Sequence, residues 1–332
     1  MADFRTESRV FPHGSTAVQS LLLLIYGLAL PASCPLRADE PKTGGSATLE
    51  SRIMPLIRAH KGKVAVAVKH LGTGESFRYE AGVVMPTASL IKFPVMVEVY
   101  RQAAAKKLDM NAVVILKQQD KVGGSGILTN HFTAGARFTL RDAVRLMIAF
   151  SDNTATNLVL DAAGIGATAA TMEKLGYPNT KIHSKVFRRD TSVFPERSKE
   201  FGLGSTTAEE MVRLCEALHR RQLVSPQACE EMLEHLRACE DKDKFPRFLP
   251  PQTKIAFKTG SLAETRTAAG IIEWPAGPVA LCVLSCENED KRWVPDNAGN
   301  RLCAEIARAV YDHFDQHAAP DSRAKKPDDR RP

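Results

Sequence analysis

Apolar positions along the chain follow two different periods. Leu49, Ile53, Leu56 and Ile57 recur at helical spacing and predict an amphipathic helix over 48–60. Pro55 falls inside that pattern and is expected to kink the helix or delay its start. VAVAVKHL at 64–71 and SFRYE at 76–80 flank Gly72-Thr73-Gly74 and read as a strand hairpin. A helical stretch then starts at Ser89 and runs to 106. Thr139 is placed to N-cap a helix over 140–149, with further helices near 154–163, 167–175, 206–222 and 225–238. Residues 177–205 contain Pro178, Pro195, Gly202 and Gly204 without a clear period and read as one long loop. Loops of that length in a compact domain are uncommon and tend to carry function. Strands at 253–258, 265–273 and 278–286 and a helix at 298–316 complete the pattern.

The order is helix, hairpin, a large helical insert, three strands and a helix. It predicts an α+β fold, an α/β sandwich. The first two and last three strands form one five-stranded antiparallel sheet flanked by the terminal helices, and an all-helical subdomain packs as a second layer. The α/β part is expected to comprise 48–88 and 240–316, and the helical part 89–239. The cleft between them is the natural binding site.

The ends have a different character. VQSLLLLIYGLAL at 18–30 follows Arg5 and Arg9 and precedes the turn-prone PASCPLRADE. A basic start, a short apolar run and a small-residue exit predict a signal peptide over 1–38, cut after Ala38 or nearer Ala32 or Ser33. The run falls short of the about 20 residues that span a bilayer, which disfavours a retained anchor. Pro31-Ala32-Ser33 is a poor approach to lipidation at Cys34. The expected location is therefore periplasmic or secreted, with no stable membrane span after processing. DEPKTGGSA at 39–47 reads as a linker, and the polar residues 317–332 as a disordered tail.

Composition narrows the partners. With 44% hydrophobic and 25% charged residues among 332, the chain is an ordinary globular protein, long enough to fold without metal or disulfide. A net charge of +7 attracts anions, but the basic residues are scattered among nearly as many acids and aromatics are only 6%. No stacking platform or basic helix emerges, so no nucleic-acid partner is expected. Of seven cysteines, removal of Cys34 with the leader leaves Cys215, Cys229, Cys239, Cys282, Cys286 and Cys303. An oxidising compartment would permit these to pair, in a connectivity the sequence leaves open; burial as small apolar residues is the competing reading. Histidines and cysteines lack metal-ligand spacing, so no metal and no cofactor is implied.

Three short motifs carry the chemistry. In Ser89-Leu90-Ile91-Lys92 the serine and lysine share a helix face, and a lysine desolvated at a helix start can accept a serine proton. Ser151-Asp152-Asn153 lies between two helices, where Ser151 could pass a proton to a leaving nitrogen and the Asn153 amide could hold a carbonyl; it is also a good N-cap sequence. Lys258-Thr259-Gly260-Ser261 ends an apolar strand and offers a cation and hydroxyls to a substrate carboxylate. Gly260 permits close approach, and the Ser261 N–H could join that of Ser89 as an oxyanion hole. Each motif alone is weak.

In this order and context they resemble the signature of class A β-lactamases and penicillin-binding proteins. FTLRDAVRLMIAFSDNTATNLVLDAAG at 138–164 and GSTTAEEMVRLCEAL at 204–218 are similar to class A segments, and the resemblance extends over about 48–316. It implies that Ser89 is the acylated nucleophile and Lys92 its proton-transfer partner, with Ser151 the proton shuttle. Asn153 would hold the acyl-amide group, and Lys258, Thr259 and Ser261 the carboxylate. Arg266, on the following strand, is expected to add positive charge there or to be a solvated strand arginine. The implied partner is a small β-lactam or a cell-wall peptide, and the implied state a monomer. The implied activity is β-lactam hydrolysis. The alternatives are a penicillin-binding-type D-Ala-D-Ala peptidase or acylated receptor, or a serine esterase or amidase with slow β-lactam turnover.

One segment departs from the resemblance. Class A enzymes carry a loop glutamate that activates the deacylating water. HSKVFRRDTSVFPERSKEFGLG has no clean copy of it and offers Asp190, Glu196 and Glu200 instead. Asp190 lies nearest the family's interval ahead of Thr206 and is the expected general base, with Glu196 the alternative. Each could equally be a loop salt bridge to Arg188, Arg189 or Arg197. Without a placed acid the enzyme would acylate readily and turn over slowly.

Overall fold

The computed structural model describes residues 48–273 and 276–316. The leader expected over 1–38, the linker at 39–47 and the tail at 317–332 lie outside these residues. Thr48 caps α1 (Leu49–Ala59), its hydroxyl accepting from the Ser51 N–H. Pro55 sits within that helix and neither breaks it nor delays its start. The hairpin β1 (Lys63–His70) and β2 (Ser76–Tyr79) follows, then the two-residue β3 (Met85–Pro86). A 3-10 turn over Ala88–Ile91 leads into α2 (Lys92–Ala104), so Ser89 sits in a tight entry turn rather than at the start of the α-helix itself.

The helical insert holds β4 (Val113–Ile115), α3 (Leu128–His131), β5 (Arg137–Thr139), α4 (Leu140–Ala149), α5 (Asn153–Ala163) and α6 (Ile165–Lys174). Thr139 caps α4 through a reciprocal box with Asp142, and Asp152 caps α5. The segment read as an unstructured loop contains β6 (Lys181–Ile182), α7 (Pro195–Phe201) and β7 (Gly204–Thr206). β7 pairs with both β6 and β3, closing the loop at its neck. His183 fixes that neck: its ring bonds the Gly202 carbonyl at 2.9 Å and the Ser205 hydroxyl at 3.0 Å. Such short pieces leave no periodic signal, which is why the sequence pattern missed them. α8 (Ala208–His219) and α9 (Pro226–Arg237) end the insert.

β8 (Lys254–Leu262), β9 (Thr265–Glu273) and β10 (Val279–Cys286) return to the sheet, and α10 (Ala298–Gln316) closes the described chain. The sheet is five-stranded and antiparallel in the order β2-β1-β10-β9-β8. Alternation along the strands makes two cores. Val64, Val66, Val68, Leu281 and Val283 pack with Ile53, Leu302, Ile306 and Val310 of the terminal helices. Ala65, Ala67, Ala280, Cys282 and Leu284 face the helical layer, joining Leu90, Met96, Met147, Met211 and Leu214. Small residues on that second face let the helices approach closely.

The six cysteines from Cys215 to Cys303 are buried free thiols. Among the described residues no helix is long and apolar enough to cross a membrane. No group of three or more His, Cys, Asp or Glu side chains could hold a metal ion there.

Candidate active site

β8 is an edge strand of the sheet, and its open edge meets the entry turn of α2. The Thr267 hydroxyl of the neighbouring strand donates to the Thr87 carbonyl at 2.8 Å, anchoring the residues just before Ser89. A Cβ at Gly260 would lie 2.4 Å from the Thr87 oxygen and 2.8 Å from the Ser89 nitrogen. Only glycine therefore lets β8 and the serine backbone come this close. Ala88 has φ 46°, an unfavourable conformation for a residue with a side chain, and it sets the direction in which Ser89 leaves the turn. Ser89 is half-buried and lines a cavity of about 740 Å³ with Ser151, Asn153, Thr259, Gly260 and Ser261. Its hydroxyl has no hydrogen-bond partner among the described residues, so the oxygen is open to the cavity.

Two fully buried lysines meet at one hydroxyl. The Lys92 amine donates to the Ser151 carbonyl at 2.7 Å and to the Asn153 Oδ1 at 2.9 Å, and lies 3.3 Å from the Ser151 Oγ. The Lys258 amine approaches the same Oγ at 3.1 Å and also bonds the Thr259 carbonyl at 2.8 Å. Burial pushes Lys92 well below the usual lysine range; the Lys258 charge adds to this and Asp152 opposes it. Burial likewise lowers Lys258, against the pull of Cys239 and Asp241. A hydroxyl both donates and accepts, so Ser151 can bridge the two amines and carry a proton between them.

The Ser151 turn is held by its neighbours. Ser151 has φ 53°. Asp152 is committed to structure, its carboxylate accepting from the N–H groups of Ile127, Leu128 and Ala155. The Ser125 hydroxyl donates to the Ser151 carbonyl at 2.9 Å. Asn153 donates from Nδ2 to the Gly123 carbonyl at 3.0 Å, leaving one amide hydrogen for a ligand. On the strand side, Asp241 lines the cavity and holds the Lys244 amine at 2.7 Å. Burial works to raise the Asp241 carboxyl, but Lys244, Thr259 and the Asp243 N–H outweigh it and keep it below the usual range. Asp241 is thus an ionised partner for the strand motif.

Arg266 does not serve as expected. Strand alternation turns it away from the face on which Thr267 meets the Ser89 turn. It is 1% exposed, and its guanidinium donates to the carbonyls of Leu262, Thr265 and Arg292. Those bonds commit three of its five N–H donors to the backbone. The guanidinium instead stacks 4.9 Å from the ring of Trp293, which does line the cavity.

An edge-strand lysine, a serine between two buried amines and a second serine open to the same cavity are the three sequence motifs brought together. Residues 48–314 match the profile of the β-lactamase enzyme family. The chain belongs to that family. A β-lactamase of Bacteroides uniformis is 26% identical over 287 residues, which cover 80% of this chain and 90% of that protein. The solved β-lactamase of Sphaerobacter thermophilus is 28% identical with a TM-score of 0.72, over 80% of this chain and 98% of that one. The structure of PBP-A shares the fold, with a TM-score of 0.70 at 22% identity over 81% and 96% of the two chains.

Within this β-lactamase-family cavity the 183–203 loop supplies an unexpected wall. Asp190, the expected base, lies exposed on a 3-10 turn over Arg189–Thr191 and is not among the cavity-lining residues. Glu196 is exposed in the first turn of α7, where its charge complements the helix dipole, and it too lies outside the lining. Glu200 is exposed on the same helix and opens onto a separate groove. The loop contributes Ser184, Lys185, Val186, Phe187, Arg189, Gly202 and Leu203. Asp241 is the one acid that lines the cavity among the described residues. Sequence reasoning missed Gly124, Ser125, Phe187, Asp241 and Trp293. Asp241 sits in a run of alternating charge that reads as solvated, and Trp293, one of two tryptophans, falls outside any periodic segment.

Proposed function

We propose that this protein opens the β-lactam ring through an acyl-enzyme on Ser89, and then hydrolyses that ester. The observation that carries this reading is the Ser151 hydroxyl held between two buried amines, in the cavity that Ser89 also lines. Burial lowers Lys92 well below its ordinary value, which favours the neutral amine. It takes the Ser89 proton as the oxygen bonds to the lactam carbonyl carbon. Ser151 gives its proton to the lactam nitrogen as the C–N bond breaks, and Lys92 returns a proton to Ser151. The N–H groups of Ser89 and Ser261 face the developing oxyanion, an arrangement typically worth about 10²–10³-fold for one donor. Lys258, Thr259 and Ser261 receive the substrate carboxylate. In deacylation, water adds to the ester carbonyl, Lys92 takes its proton, and Ser89 leaves with one. The leader expected over 1–38 would export the enzyme, to the periplasm or beyond.

One observation favours a second reading. The loop wall brings no carboxylate to the cavity to activate the deacylating water, and the one acid lining it among the described residues, Asp241, is held by Lys244. An acyl-enzyme that forms quickly and persists is the behaviour of a penicillin-binding D-Ala-D-Ala peptidase or acylated receptor. Purified protein mixed with a chromogenic cephalosporin separates the two, with intact-mass spectrometry following the Ser89 adduct. Sustained turnover supports hydrolysis. A stoichiometric burst with a lasting adduct supports the penicillin-binding reading. Neither colour nor adduct would leave the related esterase or amidase.

A further inference from the structure

Phe187 and Trp293 are the most exposed large apolar side chains of the described residues, at 68% and 69%, and both line the Ser89 cavity. Exposed aromatics in one cavity call for an apolar partner. Phe187 is held there against backbone preference, with φ 56°. Gly124 makes the room: a Cβ on it would lie 2.7 Å from the Asn153 Nδ2 and 3.3 Å from a Phe187 ring carbon. The ring is therefore beside the Asn153 amide, where an acyl side chain would leave the β-lactam nucleus. Trp293 stands on the strand side, seated on the buried Arg266 guanidinium.

Three charged residues line the cavity, of which Asp241 is ion-paired to Lys244. Lys185 is ion-paired to Asp161, and Arg189 opens also onto a neighbouring groove. We propose that Phe187 is a specificity-determining residue, selecting β-lactams whose acyl side chain ends in a neutral aromatic ring. That ring stacks on Phe187 over Gly124, with Trp293 facing it from the strand wall. The inference rests on the proposed acylation of Ser89 and names the substrate class of that same site.

The test compares benzylpenicillin with 6-aminopenicillanic acid, which has the same nucleus and no acyl group. Rates of Ser89 acylation are followed by rapid-quench mass spectrometry in the wild type, Phe187→Ala and Phe187→Tyr. An aromatic contact of this kind is worth roughly ten-fold. The benzylpenicillin to 6-aminopenicillanic acid rate ratio is expected to fall by about that factor in Phe187→Ala and to stay within about two-fold in Phe187→Tyr. An unchanged ratio in Phe187→Ala, or an equal fall in Phe187→Tyr, overturns the selection by Phe187. If neither compound modifies Ser89 in the wild type, the acylation reading fails and takes this one with it.

Discussion

One wall of the Ser89 cavity is built from β8, the entry turn of α2, the cap of α5 and the Gly124-Ser125 segment bonded to that cap. Its polar side chains are fixed: Lys92, Lys258, Asn153 and Ser125 each have hydrogen-bond partners at 2.7–3.1 Å. The other wall is the 183–203 loop, made of short elements, with a residue at positive φ and an exposed phenyl ring, and none of its three acids lines the cavity. Proton transfer needs groups within hydrogen-bond reach and a low-dielectric setting, and regular elements provide both. Recognition of a variable side chain needs only surface of the right shape and polarity, which a loop can change without disturbing the lysines. On the proposed function, the two walls divide chemistry from selection.

The sharpest way to break that division is Lys92→Met, which keeps volume and removes the base. Acylation by a chromogenic cephalosporin should fall about 10³-fold, within the usual range for general acid–base groups. The wild-type rate should rise with pH through the depressed Lys92 pKa, because attack requires the neutral amine. It should fall at higher pH as Lys258 loses the charge that holds the carboxylate. The rising limb should vanish in Lys92→Met. Stability has a related sign. The unfolded chain binds these two protons up to the ordinary value near 10.5, while the fold binds them less well. Unfolding free energy contributed by the pair therefore rises with pH across the window below 10.5. A pH profile of the variant that kept both limbs would remove Lys92 from the proton path.

Gly260→Ala attacks the same wall through the backbone. The added Cβ meets the Thr87 oxygen and the Ser89 nitrogen, so the serine must move. A displacement of this size costs about 10²-fold in acylation rate. Arg266→Met should act on stability more than on chemistry. It leaves three carbonyls unpaired and unseats Trp293, lowering the unfolding free energy by about 3 kcal/mol. Thermal melting should drop by roughly 6–12 °C. A loss confined to substrate-carboxylate binding, with an unchanged melting point, would restore Arg266 to the site.

The convergence of the three motifs was legible because they are written as fixed short spacings on regular elements. Ser89 and Lys92 share a turn, Ser151 precedes a capping aspartate, and Lys258 ends an apolar strand. Arg266 was misread although the cue was present: two-residue alternation puts it on the face opposite Thr267, and Thr267 reaches the Ser89 turn. The loop wall was illegible for a different reason. Counting residues back from Thr206 assumes a uniform path, but this stretch contains a 3-10 turn, a seven-residue helix and a neck closed by strand pairs. Each changes the rise per residue and the side-chain direction, so an interval in sequence fixes no position in space. Trp293 is similar, since only the buried Arg266 beneath it explains where it stands.

The smallest expected effect tests the loop wall most directly. Asp190 lies exposed and makes no hydrogen bond or ion pair among the described residues. A general base must be within reach of the water it activates, directly or through one further water. Nothing places this carboxylate there. Asp190→Asn should therefore change neither burst nor steady-state rate by more than about two-fold, far below the about 10²–10⁴-fold that a lost base costs. The measurement is the deacylation rate of the Ser89 adduct, followed by mass after excess β-lactam is removed. A long-lived adduct in the variant, beside prompt hydrolysis in the wild type, would mean that the loop rearranges once substrate is bound. Asp190 would then be carried to the ester, and the loop wall would share in the chemistry proposed for the lysines alone.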